Sequence, residues 1–214
     1  MEMRVPRVDG SWGAASDLLD LPWDAVPSSP LLLSESGGAP AQATSVRVCH
    51  TASVLLVRFE CEDRDIWSTY TRRDDPLYEE EAVEVFLAIG ERDPVHYHEL
   101  EVSPAGVLFD GIVSNPTSRR EDLVTDPRWD CPGVRWGARM PPGEARWLVA
   151  LAIPWTGIGA RGVPRACRAN FYRIDRPRGG DAEYSAWSPT LARPADFHKP
   201  SRFGRLVVSP EEIG

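Results

Sequence analysis

The stretch Val54-Leu55-Leu56-Val57-Arg58-Phe59-Glu60-Cys61-Glu62 decides the fold. Leu55, Val57, Phe59 and Cys61 alternate with Arg58, Glu60 and Glu62, and Val54 and Leu56 place apolar groups on the second face near the start. Successive side chains of an extended chain point to opposite sides, so this period of two predicts a strand with one face on a core. The pattern returns in Val83, Val85 and Leu87 against Glu84, Phe86 and Ala88. It returns again in His98, Leu100 and Val102 against Tyr97, Glu99 and Glu101, and in Val134, Trp136 and Ala138 against Arg135, Gly137 and Arg139. Trp147 to Ile153, Phe171 to Asp175 and Arg205 to Val208 complete the set.

Turn chemistry falls between these runs. Ser103-Pro104-Ala105-Gly106 suits a type I turn, with proline second and glycine fourth, and Pro142-Gly143 suits type II. Asp110-Gly111, between Leu108-Phe109 and Ile112-Val113, predicts a tight hairpin or a bulge. No long segment has the 3.6-residue period of a helix; the best helical candidates are the short Ala14 to Leu19 and Pro154 to Ile158. Closely spaced strands without intervening helices belong to an all-β antiparallel β-sandwich of jelly-roll or immunoglobulin-like type, with one or two short helices. No shift in composition divides residues 1–214, so the expectation is a single domain.

Composition agrees. Of 214 residues, 42% are hydrophobic and 26% charged, near the globular average and enough for one full-sized core. No run approaches 18 consecutive apolar residues, which removes a helical membrane span. The net charge of −8, with no basic stripe, is unsuited to a phosphate backbone, so nucleic acid is not an expected partner. The opening Met1-Glu2-Met3-Arg4-Val5-Pro6 has no apolar signal segment, so a cytoplasmic protein is expected. The cysteines, at 49, 61, 131 and 167, form no C-x-x-C pair. A hairpin turning at His50 to Ser53 would set Cys49 opposite Val54 and Cys61 opposite Gln42, roughly 20 Å apart at about 3.4 Å per residue. That is beyond disulfide reach, so all four are expected as thiols.

Three groups of residues carry candidate chemistry. Glu79, Glu80 and Glu81 precede a strand and read either as a solvated rim or as oxygen ligands for a hard cation. Glu84 lies inside the apolar strand, where a buried carboxylate needs a partner. Arg173, in the similarly apolar Phe171-Tyr172-Arg173-Ile174, is the candidate, either as a structural ion pair or as a polar pair lining a cleft. Most tryptophans sit in strand patterns, but Trp67 and Trp187 stand in polar, turn-rich segments. There they serve either as caps on the core or as flat platforms for sugar rings, whose C–H faces stack on aromatics while their hydroxyls meet carboxylate and guanidinium. His96 and His98 share a strand face but lack a third histidine or cysteine for a metal site. No nucleophile elbow, zinc-protease helix or phosphate loop occurs, so an enzyme is not expected.

The ordered set of segments resembles the family 9 carbohydrate-binding modules of the DOMON-like superfamily. The resemblance runs from Val8-Asp9-Gly10-Ser11-Trp12 through Val54 to Asp63, Leu77 to Phe86, Leu151-Ala152-Ile153-Pro154-Trp155 and Ala169-Asn170-Phe171. It ends with Trp187-Ser188-Pro189-Thr190 and Phe203-Gly204-Arg205-Leu206. It implies a DOMON-like sandwich and non-catalytic binding of a mono- or oligosaccharide. A terminal ring would sit between aromatics at the positions of Tyr78 and Trp187, hydrogen-bonded by Glu84. Two departures stand out: Tyr78 replaces a tryptophan, and Glu101 stands where some sugar-binding members have arginine. The resemblance also allows structural calcium without assigning ligands, and no other cofactor is required. A monomer or weak dimer is expected. The competing readings are an adaptor sandwich that has lost its sugar, and a haem-binding redox module, for which Met1, Met3 and Met140 are the only methionines.

Overall fold

The alternating runs become strands. A computed structural model describes residues 1–212 and, among them, fourteen strands. They are β1 (Glu2–Arg7), β2 (Ser28–Pro30), β3 (Leu32–Leu33), β4 (Thr44–His50), β5 (Val54–Glu62), β6 (Ala82–Ile89) and β7 (His96–Val102). Then follow β8 (Leu108–Ser114), β9 (Val124–Asp126), β10 (Arg135–Arg139), β11 (Arg146–Pro154), β12 (Ala166–Asp175), β13 (Glu183–Ala186) and β14 (Gly204–Glu212).

Hydrogen bonding links them in the order β10-β11-β5-β4-β1-β14-β12-β6-β7-β8-β9. All pairings are antiparallel except those of β1, which runs parallel to both β14 and β4 and so joins two halves. The halves pack face to face. Leu55, Val57, Phe59 and Cys61 of β5 and Trp147, Val149, Leu151 and Ile153 of β11 meet Val83, Val85 and Leu87 of β6, Leu100 and Val102 of β7 and Phe171 of β12 in one core. The expected sandwich is the fold. Burying each large side chain of this kind stabilises the chain by roughly 1.5–3 kcal/mol.

Each half also has an outer face, and the chain covers both. Leu56, Leu148 and Ala150 lie under the N-terminal segment through Val8, Leu18, Trp23 and Val26. Trp23 is fixed there by its indole N–H, which donates to the Leu18 carbonyl at 2.8 Å. On the other half, Phe86, Tyr97, Tyr172 and Ile174 are covered by Phe197 and Phe203 from the loop ahead of β14. The same face carries Glu84, Glu99 and Glu101.

Both proposed turns form. The Gly106 N–H closes on the Ser103 carbonyl at 2.9 Å, and Gly143 takes φ 76° while Glu144 N–H returns to Pro141. Asp110-Gly111 does not turn; both residues lie inside β8, opposite Leu100 and Glu99. Glycine is needed there because β9 comes so close that an added Cβ would lie 3.1 Å from the Asp126 carbonyl oxygen. The β4–β5 hairpin is offset from expectation, with Cys49 facing Leu56 and Cys61 facing Thr44. Cys61 points into the central core and Cys49 to the outer face, and all four cysteines are free and buried.

Helices are limited, among the described residues, to five short 3-10 turns. The segment from Ala14 to Leu19 leaves its turn at once, because Asp17 takes the Leu19 N–H at 2.8 Å and so competes with the backbone acceptor. Pro154 to Ile158 closes one loose turn at the end of β11, Ile158 N–H reaching Pro154 at 3.3 Å.

Candidate functional site

The outer face of the second half opens into a cleft of about 510 Å3, within the range of small-molecule sites. Its floor follows from the period of two. Glu84 on β6 stands directly opposite Glu101 on β7, and Glu99 stands opposite Phe86 one step along the same face. All three are buried, with relative exposures of 2%, 1% and 5% for Glu84, Glu101 and Glu99. Neither carboxyl oxygen of Glu101 has a well-formed hydrogen bond. The basic group approaching this floor is His198, whose Nε2 lies 3.9 Å from Glu99.

Taking a carboxylate out of water favours its neutral form. Burial pushes Glu99 up to about 8. Burial first and then neighbouring glutamates hold Glu84 and Glu101 well above the ordinary carboxylate value. Burial also lowers His198, to about 4. The floor therefore favours the neutral carboxylic acid, with its O–H donor beside acceptor oxygen, more than a carboxyl in water does, and it lies next to a neutral imidazole.

Two walls rise from it. Tyr78 rides on the 3-10 turn Leu77–Glu79, which is anchored by fully buried Leu77 against Ala82 and Phe109. Its ring stays half exposed and meets Phe109 edge-on, with centroids 6.4 Å apart and planes at 89°. A second wall comes from Phe197 and His198. Tyr172 stacks on Phe197 at 4.1 Å, and its hydroxyl donates to the Phe197 carbonyl at 2.9 Å. The Tyr97 hydroxyl is hydrogen-bonded to His198 Nδ1 at 2.8 Å, and Asn115 donates to the His198 carbonyl at 3.0 Å. Loop residues held by so many partners form a rigid wall. Tyr184, Ile174, and Arg120 with its neighbour Asp196 add to the lining.

Of the residues singled out from sequence, Tyr78 and Glu84 come together here. Trp187 does not. It is 2% exposed and lies in the core between the sheets, 5.7 Å from Phe171 and so tight on Gly204 that a Cβ there would fall 2.2 Å from its ring. Strand alternation explains the difference. The chain entering from β13 turns Tyr184 to the outer face and Trp187, three residues on, to the inner one.

Arg173 also lies elsewhere, because its register partner on β6 is Val83 while Glu84 faces Tyr172. Arg173 therefore points to the opposite side of the sheet from Glu84. There it is 1% exposed, bonds Asp63 at 3.0 Å, lies near Asp175 and Glu81 at 3.5 and 3.6 Å, and sits over the Trp147 ring. Trp67 is outside the cleft lining as well. Its indole N–H donates to the Arg176 carbonyl at 2.6 Å and Arg178 covers its ring.

Sequence reasoning had Glu99 and Glu101 on one strand face with Tyr97, but did not join that face to Glu84. Adjacency of β6 and β7 supplies the connection. Tyr184 stands three residues before Trp187, and only the choice of face separates them. Phe109, Phe197 and His198 carried no sequence signal of a shared site.

Two trios of acidic groups have oxygen atoms within 4.8 Å of one another: Asp63, Glu81 and Asp175, and Asp74, Asp110 and Asp130. Each already surrounds a guanidinium. Arg173 serves the first, and Arg73 the second, at 2.7 Å from Asp110 and 2.8 Å from Asp130. Each trio thus already has a guanidinium among its oxygens, which takes up donors and offsets part of the charge that an added cation would need. His98 packs against Trp129 at 4.6 Å, and His96 is exposed.

The carbohydrate-binding family 9 model matches residues 28–208. A protein of Arthroderma benhamiae named "Extracellular protein" is 26% identical over 200 residues, covering 87% of this chain and 86% of the relative. Among solved structures, a candidate carbohydrate-binding protein from Bacteroides uniformis superposes with a TM-score of 0.77 at 19% identity, over 97% of this chain and 99% of that one. A family 9 module from Caldicellulosiruptor kristjanssonii in complex with cellotriose gives a TM-score of 0.64 at 13% identity, over 98% and 94% of the two chains. The glucose complex of a family 9 module from the same organism gives 0.61 at 14% identity, over 98% and 96%.

Proposed function

The chain belongs to carbohydrate-binding family 9, and from that premise we propose that it is a non-catalytic module holding a sugar ring in the cleft beside Tyr78 and Glu84. The observation that carries this reading is the half-exposed Tyr78 ring lining the same cleft as a buried row of carboxyl groups. An aromatic ring left half in water on a rigid turn offers an apolar platform for the C–H face of a pyranose. Glu84, Glu99 and Glu101, whose burial favours the protonated form, then present donors and acceptors to its hydroxyls. Family 9 modules in complex with glucose and cellotriose make these the first ligands to test.

Tyr184 and Phe197, rather than Trp187, complete the apolar lining in this reading. Nothing in it calls for a metal, since arginines already fill both acidic trios. An open cleft with one exposed ring buries little of its ligand, so the expected Kd is roughly 10 μM to 1 mM. Calorimetric titration of glucose and cellotriose into the wild-type chain and into Tyr78→Ala tests the proposal. Saturable binding that weakens about tenfold in the variant supports it; no heat from these or from a broad sugar panel overturns it.

A further inference from the structure

Three acidic side chains, Glu84, Glu99 and Glu101, line one floor of the cleft. We infer that the cleft selects sugars bearing a protonated primary amine, an amino-sugar unit whose ammonium sits over the Glu84 and Glu101 carboxylates. This rests on the carbohydrate-binding reading above and narrows it to a ligand class.

The first observation is Glu101 itself. It is 1% exposed, lines the cleft, and neither carboxyl oxygen has a well-formed hydrogen bond, the Tyr78 backbone N–H being the nearby donor. A buried polar group without a partner costs the fold free energy, and such a group facing a cavity is matched by what enters it. The second observation is the charge balance. Glu84 stands opposite Glu101 in register, and neither makes an ion pair among the described residues. The titratable groups facing the floor are Tyr78, Tyr97, Tyr172, Tyr184, Arg120, Asp196 and His198, the Tyr97 and Tyr172 hydroxyls being bonded to His198 and to the Phe197 carbonyl. Arg120 is largely exposed and turned to Asp196 at 3.8 Å, and burial holds His198 neutral. A cation entering the cleft would stabilise the ionised form of these carboxyls, which burial otherwise disfavours and no resident group supports.

The geometry also favours an organic cation over a metal ion. The three floor glutamates are not one of the acidic trios whose oxygens converge within 4.8 Å. An ammonium directs three N–H donors outward to separated acceptors, whereas a hard metal ion gathers its oxygens closely around itself. The rings of Tyr78, Phe109 and Tyr184 around the floor favour an amine carried on a sugar over a bare alkylamine.

Proton balance gives a second readout. Each floor carboxyl that ionises to meet the ammonium releases one proton to the buffer, and a neutral sugar bound to the protonated floor releases none. The test is calorimetry at pH 7 on the full chain, in two buffers of different ionisation enthalpy, with glucosamine, glucose, N-acetylglucosamine and ethanolamine. Glucosamine is expected to bind at least about tenfold more tightly than glucose or N-acetylglucosamine, with proton release, and ethanolamine to give no saturable binding. Glu101→Gln is isosteric and neutral, and brings glucosamine to within about threefold of glucose; Glu84→Gln does the same and serves if the first variant folds poorly. If glucose or N-acetylglucosamine matches glucosamine, the amine preference is overturned and carbohydrate binding stands. If ethanolamine matches glucosamine, the sugar part of the inference is overturned. If no sugar binds, both readings fail.

Discussion

Glu84 and Glu101 face each other across β6 and β7, both nearly inaccessible to water and neither paired with a basic group among the described residues. Like-charged residues directly opposite on neighbouring strands destabilise a sheet, and burial adds to the cost of ionising either. A fold that keeps such a pair on the floor of an open cleft gives up stability at the place where a ligand would enter.

That cost is measurable as a pH dependence. Burial raises Glu84, Glu99 and Glu101, and raises Glu81 to about 8, so the folded chain holds protons that the unfolded chain releases. This stabilising contribution is complete below the unfolded value of 4.5 and is lost as the pH rises, through about 8 for Glu81 and Glu99 and through the raised values of Glu84 and Glu101. His98 and His198 are depressed and act in the opposite sense, but only below their unfolded value of 6.5. The melting temperature should therefore fall between about pH 6.5 and 8.5. Glu101→Gln should flatten the fall and recover about 1–3 kcal/mol at the upper end, at roughly 2–4 °C per kcal/mol. A flat profile for the wild-type chain contradicts this assignment.

Tyr78 and Trp187 should respond in opposite ways. Tyr78→Ala removes a half-exposed ring, leaving the melting temperature within a few degrees of wild type while weakening sugar binding. Trp187→Ala opens a cavity in the central core and is expected to cost about 3–5 kcal/mol. Gly204→Ala should destabilise too, because its Cβ would collide with the Trp187 ring. Thermal melts and titrations on the three variants separate these roles; a stable Trp187→Ala that selectively loses sugar binding would restore Trp187 to the site.

Arg173 gives a third test. Its guanidinium is held among Asp63, Glu81 and Asp175 in the interior. Arg173→Met leaves buried acids without their counter-charge and should cost about 3–5 kcal/mol. Because arginines already occupy both acidic trios, excess calcium or a strong chelator should move the wild-type melting temperature by less than about 1 °C, a shift too small for loss of a tightly held ion. A large stabilisation by calcium contradicts that account.

The strands were legible in the sequence because one physical fact, alternation of side chains across a sheet, repeats over most of the chain. β5, β6, β7 and β11 all fall where their apolar periods place them. The same fact, carried one step further, places Glu84, Glu99 and Glu101 on one face and Arg173 on the other. It needed the register between strands, which period alone does not contain. Trp187 shows the limit of reading a large ring in a polar segment as a platform, since its neighbours Ser185 and Ser188 are buried with it. Asp110-Gly111 shows the same for turn chemistry: the glycine answers the approach of β9, not a change of direction. The wall made by Phe197 and His198 depends on contacts with Tyr97, Asn115 and Tyr172, far away in sequence. No local pattern announces such a meeting.

The most direct test is a crystal structure of the chain with cellotriose or glucose bound. The account predicts a terminal ring lying on the Tyr78 face, with a hydroxyl hydrogen-bonded to Glu84 and the remaining lining drawn from Tyr184, Phe197 and His198. A sugar found on any other surface of the sandwich, with this cleft holding only water, would contradict it.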